Sequence, residues 1–141
     1  MMDLLVNRLR RTAPADLRVR RQMSVILGRR QRPEPDVSVV RADADLSPEA
    51  TALRAADIVL AAEVVSPDTE ERDRERKPQL YAKAGIPHFW RVENTSGHPT
   101  VYVYELDPAT RAYALTGIHH DQLKVTVPFD IDIDLRELGR L

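Results

Sequence analysis

Pro35-Asp36-Val37-Ser38-Val39-Val40 and Ile58-Val59-Leu60-Ala61-Ala62-Glu63-Val64-Val65-Ser66 are the stretches that decide how this chain folds. Both are apolar, β-branched runs that suit a pleated surface. The second is nearly continuous in apolar residues, the pattern of a strand buried on both faces. Each carries one carboxylate. An acid inside such a strand is costly to bury unless it is paired or binds a metal. Beyond the second run, Asp73, Lys77 and Tyr81 are spaced i, i+4, i+8. That spacing gives them one face of an unbroken helix.

The remaining elements fall on either side of this pair. Leu4, Leu5, Arg8, Leu9 and Thr12 have helical spacing that Pro14 ends, which predicts a helix over 3–11. Leu17, Val19, Met23, Val25 and Leu27 repeat with period two, so 17–27 reads as one strand or a bent pair. Residues 28–34 are a polar turn, and 36–40 a short strand. Residues 41–56 show no clean period and read as a loop, with a short helical start at Ser47-Pro48-Glu49. The central strand covers 57–65.

Ser66-Pro67-Asp68-Thr69 supplies capping residues for a charged helix over 70–84. Pro78 is expected to kink or divide it, and Gly85 to stop it. Three strands follow at 86–92, 101–106 and 112–118, joined by turns at 94–99 and 107–110. A last short strand is expected at 124–128 and a last helical turn at 134–141. The sum is an α/β sandwich in a single domain, 1–141: a mixed sheet with one main helix on a face.

Composition narrows the function classes. At 141 residues, 43% hydrophobic and 30% charged, the chain has ordinary globular proportions. It has no apolar run near membrane-spanning length and no recognisable secretion signal, so no membrane partner is expected, and a cytoplasmic location is. It lacks cysteine. That excludes disulfides, a thiol nucleophile and thiolate zinc sites. The net charge of −1 excludes a global basic field. Residues 1–34, however, carry nine arginines against Asp3, Asp16 and Glu34, a local +6 that leaves −7 for the rest. Arg18, Arg20 and Arg21 are therefore candidates for contact with a nucleic-acid backbone. The alternative is a solvated, arginine-rich surface.

The chemistry centres on Asp36 and Glu63. If their strands are neighbours, both carboxylates converge on one hard cation such as Mg²⁺, which takes oxygen ligands and keeps several waters. Such an ion polarises a phosphoryl oxygen and activates a water. Lys77 on the following helix would orient that water, supported by Asp73 and Tyr81. Plainer readings stand beside this. Asp36 suits a solvated strand start, Asp73 and Lys77 suit a surface pair worth ~0.5 kcal/mol, and Glu63 suits a hydrogen-bonded core acid. The histidines at 88, 98, 119 and 120 form no ligand set.

The runs around Asp36 and Glu63, the Asp73-x3-Lys77-x3-Tyr81 spacing, Gly85-Ile86-Pro87-His88-Phe89-Trp90 and Val101-Tyr102-Val103-Tyr104 together resemble the Uma-two family of endonucleases. The likeness spans residues 17–138. It implies a restriction-endonuclease-like fold, a mixed β-sheet flanked by helices, N-terminally shortened relative to members with a further Tyr-Glu-Leu type segment. It also implies a PD-(D/E)xK core, with Asp36 as the first metal carboxylate and Glu63 as the second. The usual lysine position, two after the glutamate, is Val65 here. By the same resemblance Lys77 takes that role from the helix. The resulting expectation is a homodimeric DNA endonuclease dependent on Mg²⁺ (or Mn²⁺), with RNA as an alternative substrate. The rival is a catalytically inactive nucleic-acid-binding or dimeric interaction module on a nuclease scaffold.

Overall fold

Helix α1 (Met2–Thr12) lays Leu5, Val6 and Leu9 into the core and carries Asp3 in its first turn and Arg10 and Arg11 in its last, the polarity its dipole favours. The structure, a computed structural model, describes residues 2–28, 30–44, 52–65, 71–95 and 97–139; the side chains of 71–74, 95 and 139 lie outside that description. The period-two run after α1 forms two strands, β1 (Leu17–Arg21) and β2 (Ser24–Ile26). The break falls at Gln22, whose φ of 49° lies in the left-handed region, uncommon for a residue with a side chain. Its N–H donates to the Asp36 carbonyl at 3.0 Å.

β3 (Val37–Arg41) follows as expected. The loop expected over 41–56 contains a strand, β4 (Ala52–Arg54), paired in parallel with β2. Three residues are too few to display a period. The helical start expected at Ser47 lies outside the described residues. A short 3₁₀ turn (Ala55–Asp57) leads into β5 (Ile58–Val65). Helix α2 (Glu71–Lys83) runs through Pro78 without a break, so of the two alternatives expected there, a kink or a division, the division is set aside. Proline removes one backbone donor there, while Tyr81 and Ala82, both buried, hold the last turn on the sheet.

Strands β6 (His88–Thr95), β7 (His98–Asp107) and β8 (Ala112–His119) complete the main sheet. The last expected strand, 124–128, is shifted to β9 (Gln122–Val125) and pairs with an unforeseen strand, β10 (Ile131–Asp134). In β10 only Ile131 and Ile133 alternate with aspartates, too short a signal to stand out. Helix α3 (Leu135–Gly139) closes the described chain.

The main sheet has the order β1-β3-β5-β6-β7-β8. β5 and β6 are parallel and linked by α2, while the other neighbours in this sheet are antiparallel. Both faces are covered, not one. On the first, Val39, Leu60, Trp90 and Val103 meet Leu5 and Leu9 of α1 together with Ile131, Ile133 and Leu135. On the second, Val40, Ile58, Ala61 and Phe89 meet Tyr81, Ile86, Val25 and Leu53. A register shift at Val39/Val40 sets Val39 opposite Leu60 but Val40 opposite Ile58. Such a bulge adds one residue to one strand and turns the following side chains over. Ile58 and Leu60, of equal parity, consequently enter different cores. From the bulge onward Ala61 and Glu63 face α2.

Candidate active site

Glu63 sits near the end of β5, on the face covered by α2, and is only 6% exposed. The β3–β5 ladder pairs Val37 with Ala62, so the next position outward sets Asp36 opposite Glu63. Asp36 is pinned twice. Its carbonyl accepts from Gln22, and its Oδ2 accepts the Val64 N–H at 2.7 Å. Where β3 stops, this side chain takes the place of a backbone acceptor beside β5.

Helix α2 supplies the rest. The Tyr81 hydroxyl donates to Glu63 Oε1 at 2.6 Å, in a buried contact. Lys77 Nζ stands 3.6 Å from Glu63 Oε2, with the lysine side chain 38% exposed. One carboxylate oxygen is thus held by a phenol and the other faces an ammonium group. Tyr81 was expected to support Lys77; its hydroxyl contacts Glu63 instead. The side chain of Asp73, the other expected support, lies outside the described residues. Four of the five predicted residues of this centre, Asp36, Glu63, Lys77 and Tyr81, are therefore brought together.

The electrostatics follow from burial. Burial pushes the Glu63 carboxyl up to about 7. The Tyr81 hydrogen bond and Lys77 pull it down, and the nearby Asp36 charge pushes it further up. The Tyr81 phenol is raised far above its ordinary value, first by burial and then by Glu63. Two carboxylates that repel across adjacent strands, one of them desolvated, form a pocket of negative charge that a cation relieves. The donors are hard oxygens, which fit Mg²⁺ or Mn²⁺ and not a soft metal. No group of three or more His, Cys, Asp or Glu that could hold an ion occurs among the described residues. Remaining coordination positions would thus fall to water, backbone and substrate, as Mg²⁺ tolerates.

Arg18, Arg20 and Arg21 are not gathered on one surface. Strand alternation sends Arg18 and Arg20 to the face opposite Val19, and Arg21 to the same side as Val19. Arg18 Nη1 donates to the Ala15 and Leu17 carbonyls, and Arg21 pairs with Asp3. Sequence reasoning missed Arg91, which lies directly opposite Glu63 in the β5–β6 register. The parity it shares with Phe89 placed it on the α2 face. The register that sets it beside Glu63 is a long-range property with no local signal.

A six-stranded mixed sheet with a carboxylate-bearing central strand and helices on its faces is the restriction-endonuclease-like fold. A crystal structure described as that of a "putative nuclease belonging to DUF820 from Anabaena variabilis ATCC 29413" superposes with a TM-score of 0.71 at 18% identity, covering 99% of this chain and 78% of the other. Among curated proteins no relative is found. Residues 1–136 match the Uma2 family, described as "Putative restriction endonuclease", and the chain belongs to that family.

Proposed function

We propose that the chain is a divalent-metal-dependent endonuclease that hydrolyses phosphodiester bonds in DNA. The observation that carries this reading is the meeting of Asp36, Glu63 and Lys77 at the α2 face of the sheet. Membership of a family named for restriction endonucleases supports it. Asp36 and Glu63 would hold Mg²⁺ or Mn²⁺, which when bound polarises the phosphoryl oxygen and lowers the pKa of a water.

The chain's own groups do the rest. The Val64 N–H fixes the Asp36 carboxylate. Tyr81 fixes one oxygen of Glu63 and leaves the other toward Lys77. Lys77, partly exposed beside the carboxylates, orients the attacking water and offsets charge building on the phosphate. Arginine neighbours could not move a proton as lysine can, because they stay protonated.

Conversion of supercoiled plasmid to nicked and linear forms, with Mg²⁺ or Mn²⁺, tests the proposal. Wild type should cleave, Glu63→Ala should not, and Lys77→Met should be slower by ~10²–10³-fold. Equal rates for Lys77→Met and wild type would remove Lys77 from the chemistry. A wild-type protein that binds DNA but cleaves with neither metal would make the chain a non-catalytic nucleic-acid-binding module.

A further inference from the structure

Beside the carboxylates runs a groove of about 710 Å³ that the chemistry above does not use. Arg91, Tyr104 and Tyr113 line the sheet side, Pro78, Ala82 and Lys83 the α2 side, and Arg111 the rim. Two neighbour relations set it next to Asp36 and Glu63. Arg91 is the register partner of Glu63. On α2, Lys77 and Tyr81 turn to Glu63, while Pro78 and Ala82, each one residue on, turn to the groove.

Its side chains are held in place. The Arg91 guanidinium lies 4.3 Å from the Tyr102 ring centroid and 5.8 Å from that of Tyr104, with Nε 3.2 Å from Glu93 Oε1. The Tyr113 ring stacks on Phe89 at 5.4 Å, and its hydroxyl donates to the Ile86 carbonyl. Arg111 has a φ of 56°, a strained region for a residue with a Cβ. It sends Nη2 to the Lys83 carbonyl at 3.0 Å, which brings two cations to one rim. Beside the Arg91–Glu93 pair and the Arg111 cap on α2, both guanidinium groups line the groove. A guanidinium has five N–H donors.

Three cations against Glu75, interleaved with tyrosine rings, match the pairing of phosphate contact and base stacking used on single strands. The volume lies in the range of about 300–1,000 Å³ that takes a drug-sized ligand, enough for a nucleotide or two and too small for a double helix. We propose that this groove leads one unpaired strand of nucleic acid to Asp36 and Glu63, with Lys83, Arg91 and Arg111 on its phosphates. The proposal rests on the nuclease reading for the destination of the strand.

Fluorescence anisotropy of a labelled oligothymidylate, titrated in chelator over a range of salt, tests it. Each phosphate contact on a single strand contributes about −0.7 to the slope of log K against log salt. Lys83→Gln with Arg111→Gln should weaken binding ~10-fold and flatten the slope by about 1.4, with an unchanged far-ultraviolet circular dichroism spectrum as the check on folding. Arg111→Lys in place of Arg111→Gln should restore half of that slope. Replacing Arg18, Arg20 and Arg21 by Gln should leave it alone. No binding by wild type, an unchanged slope in the double variant, or tighter binding of duplex than of single strand would overturn the proposal. The two readings fail separately. Groove-dependent binding without metal-dependent cleavage keeps the groove and removes the nuclease. Cleavage with an unchanged slope does the reverse.

Discussion

Glu63 is a carboxylate whose burial costs the cation-free protein stability. Its folded value, about 7, lies above the ordinary 4.5, so the folded state keeps a proton that the unfolded chain releases. Stability is therefore unaffected below the unfolded value, falls as pH rises from about 4.5 to about 7, and stays lowered above. At about 1.36 kcal/mol per unit, the cost is about 3 kcal/mol. Glu63→Gln retains an acceptor for the Tyr81 hydroxyl and removes the charge. In chelator at pH 8 it should melt at or above wild type, and at pH 4.5 the two should coincide. Thermal melts across that range check this. A clear loss at pH 8 would make Glu63 a paired structural acid and not a site kept for a cation.

At the scale of elements, an acid of opposite behaviour secures the start of the same strand. Asp57, in the turn before β5, accepts from Arg41 on β3 at 3.0 Å and from Arg54 on β4 at 3.1 Å. The hydrogen bond from Arg41 holds its carboxyl below the usual range. Its stabilising effect is present above the unfolded value and is lost as pH falls through the depressed folded one. Asp57→Ala should cost about 2 kcal/mol, a deficit that persists at pH 5 and disappears only in strong acid. Urea titrations at two pH values measure it; no deficit at pH 7 would show that the two exposed arginines lend Asp57 nothing. The elements themselves were legible where the pattern was long. The apolar run of β5 and the i, i+4 spacing of Lys77 and Tyr81 are local signals. β4 and β10, at three and four residues, are too short to have one. The placing of Arg91 across from Glu63 in the β5–β6 ladder, and the bond from the Val64 N–H to Asp36 Oδ2, depend on register between strands far apart in sequence. Neither was legible.

For the whole molecule, the site lies where the sheet is most enclosed. β5 is flanked by β3 and β6 and covered on both faces, so an ion held between Asp36 and Glu63 binds only the folded chain. Such a ligand stabilises by RT ln(1 + [L]/Kd), about 2.7 kcal/mol at a concentration ~100-fold above Kd. Mn²⁺ should raise the melting temperature of wild type and leave Glu63→Ala where it was. An equal shift in both proteins would place the ion elsewhere.

The Val64 N–H has a consequence of its own. It is a strand amide whose acceptor is not a carbonyl but the carboxylate of Asp36. Its proton resonance therefore reports the electrical state of that carboxylate. A cation drawing on Asp36 takes electron density from the oxygen facing Val64, and the amide signal should move upfield. In a ¹⁵N-edited spectrum, Mg²⁺ titration should shift the Val64 cross-peak in wild type and not in Asp36→Asn. That one amide would read occupancy of the centre with no substrate present.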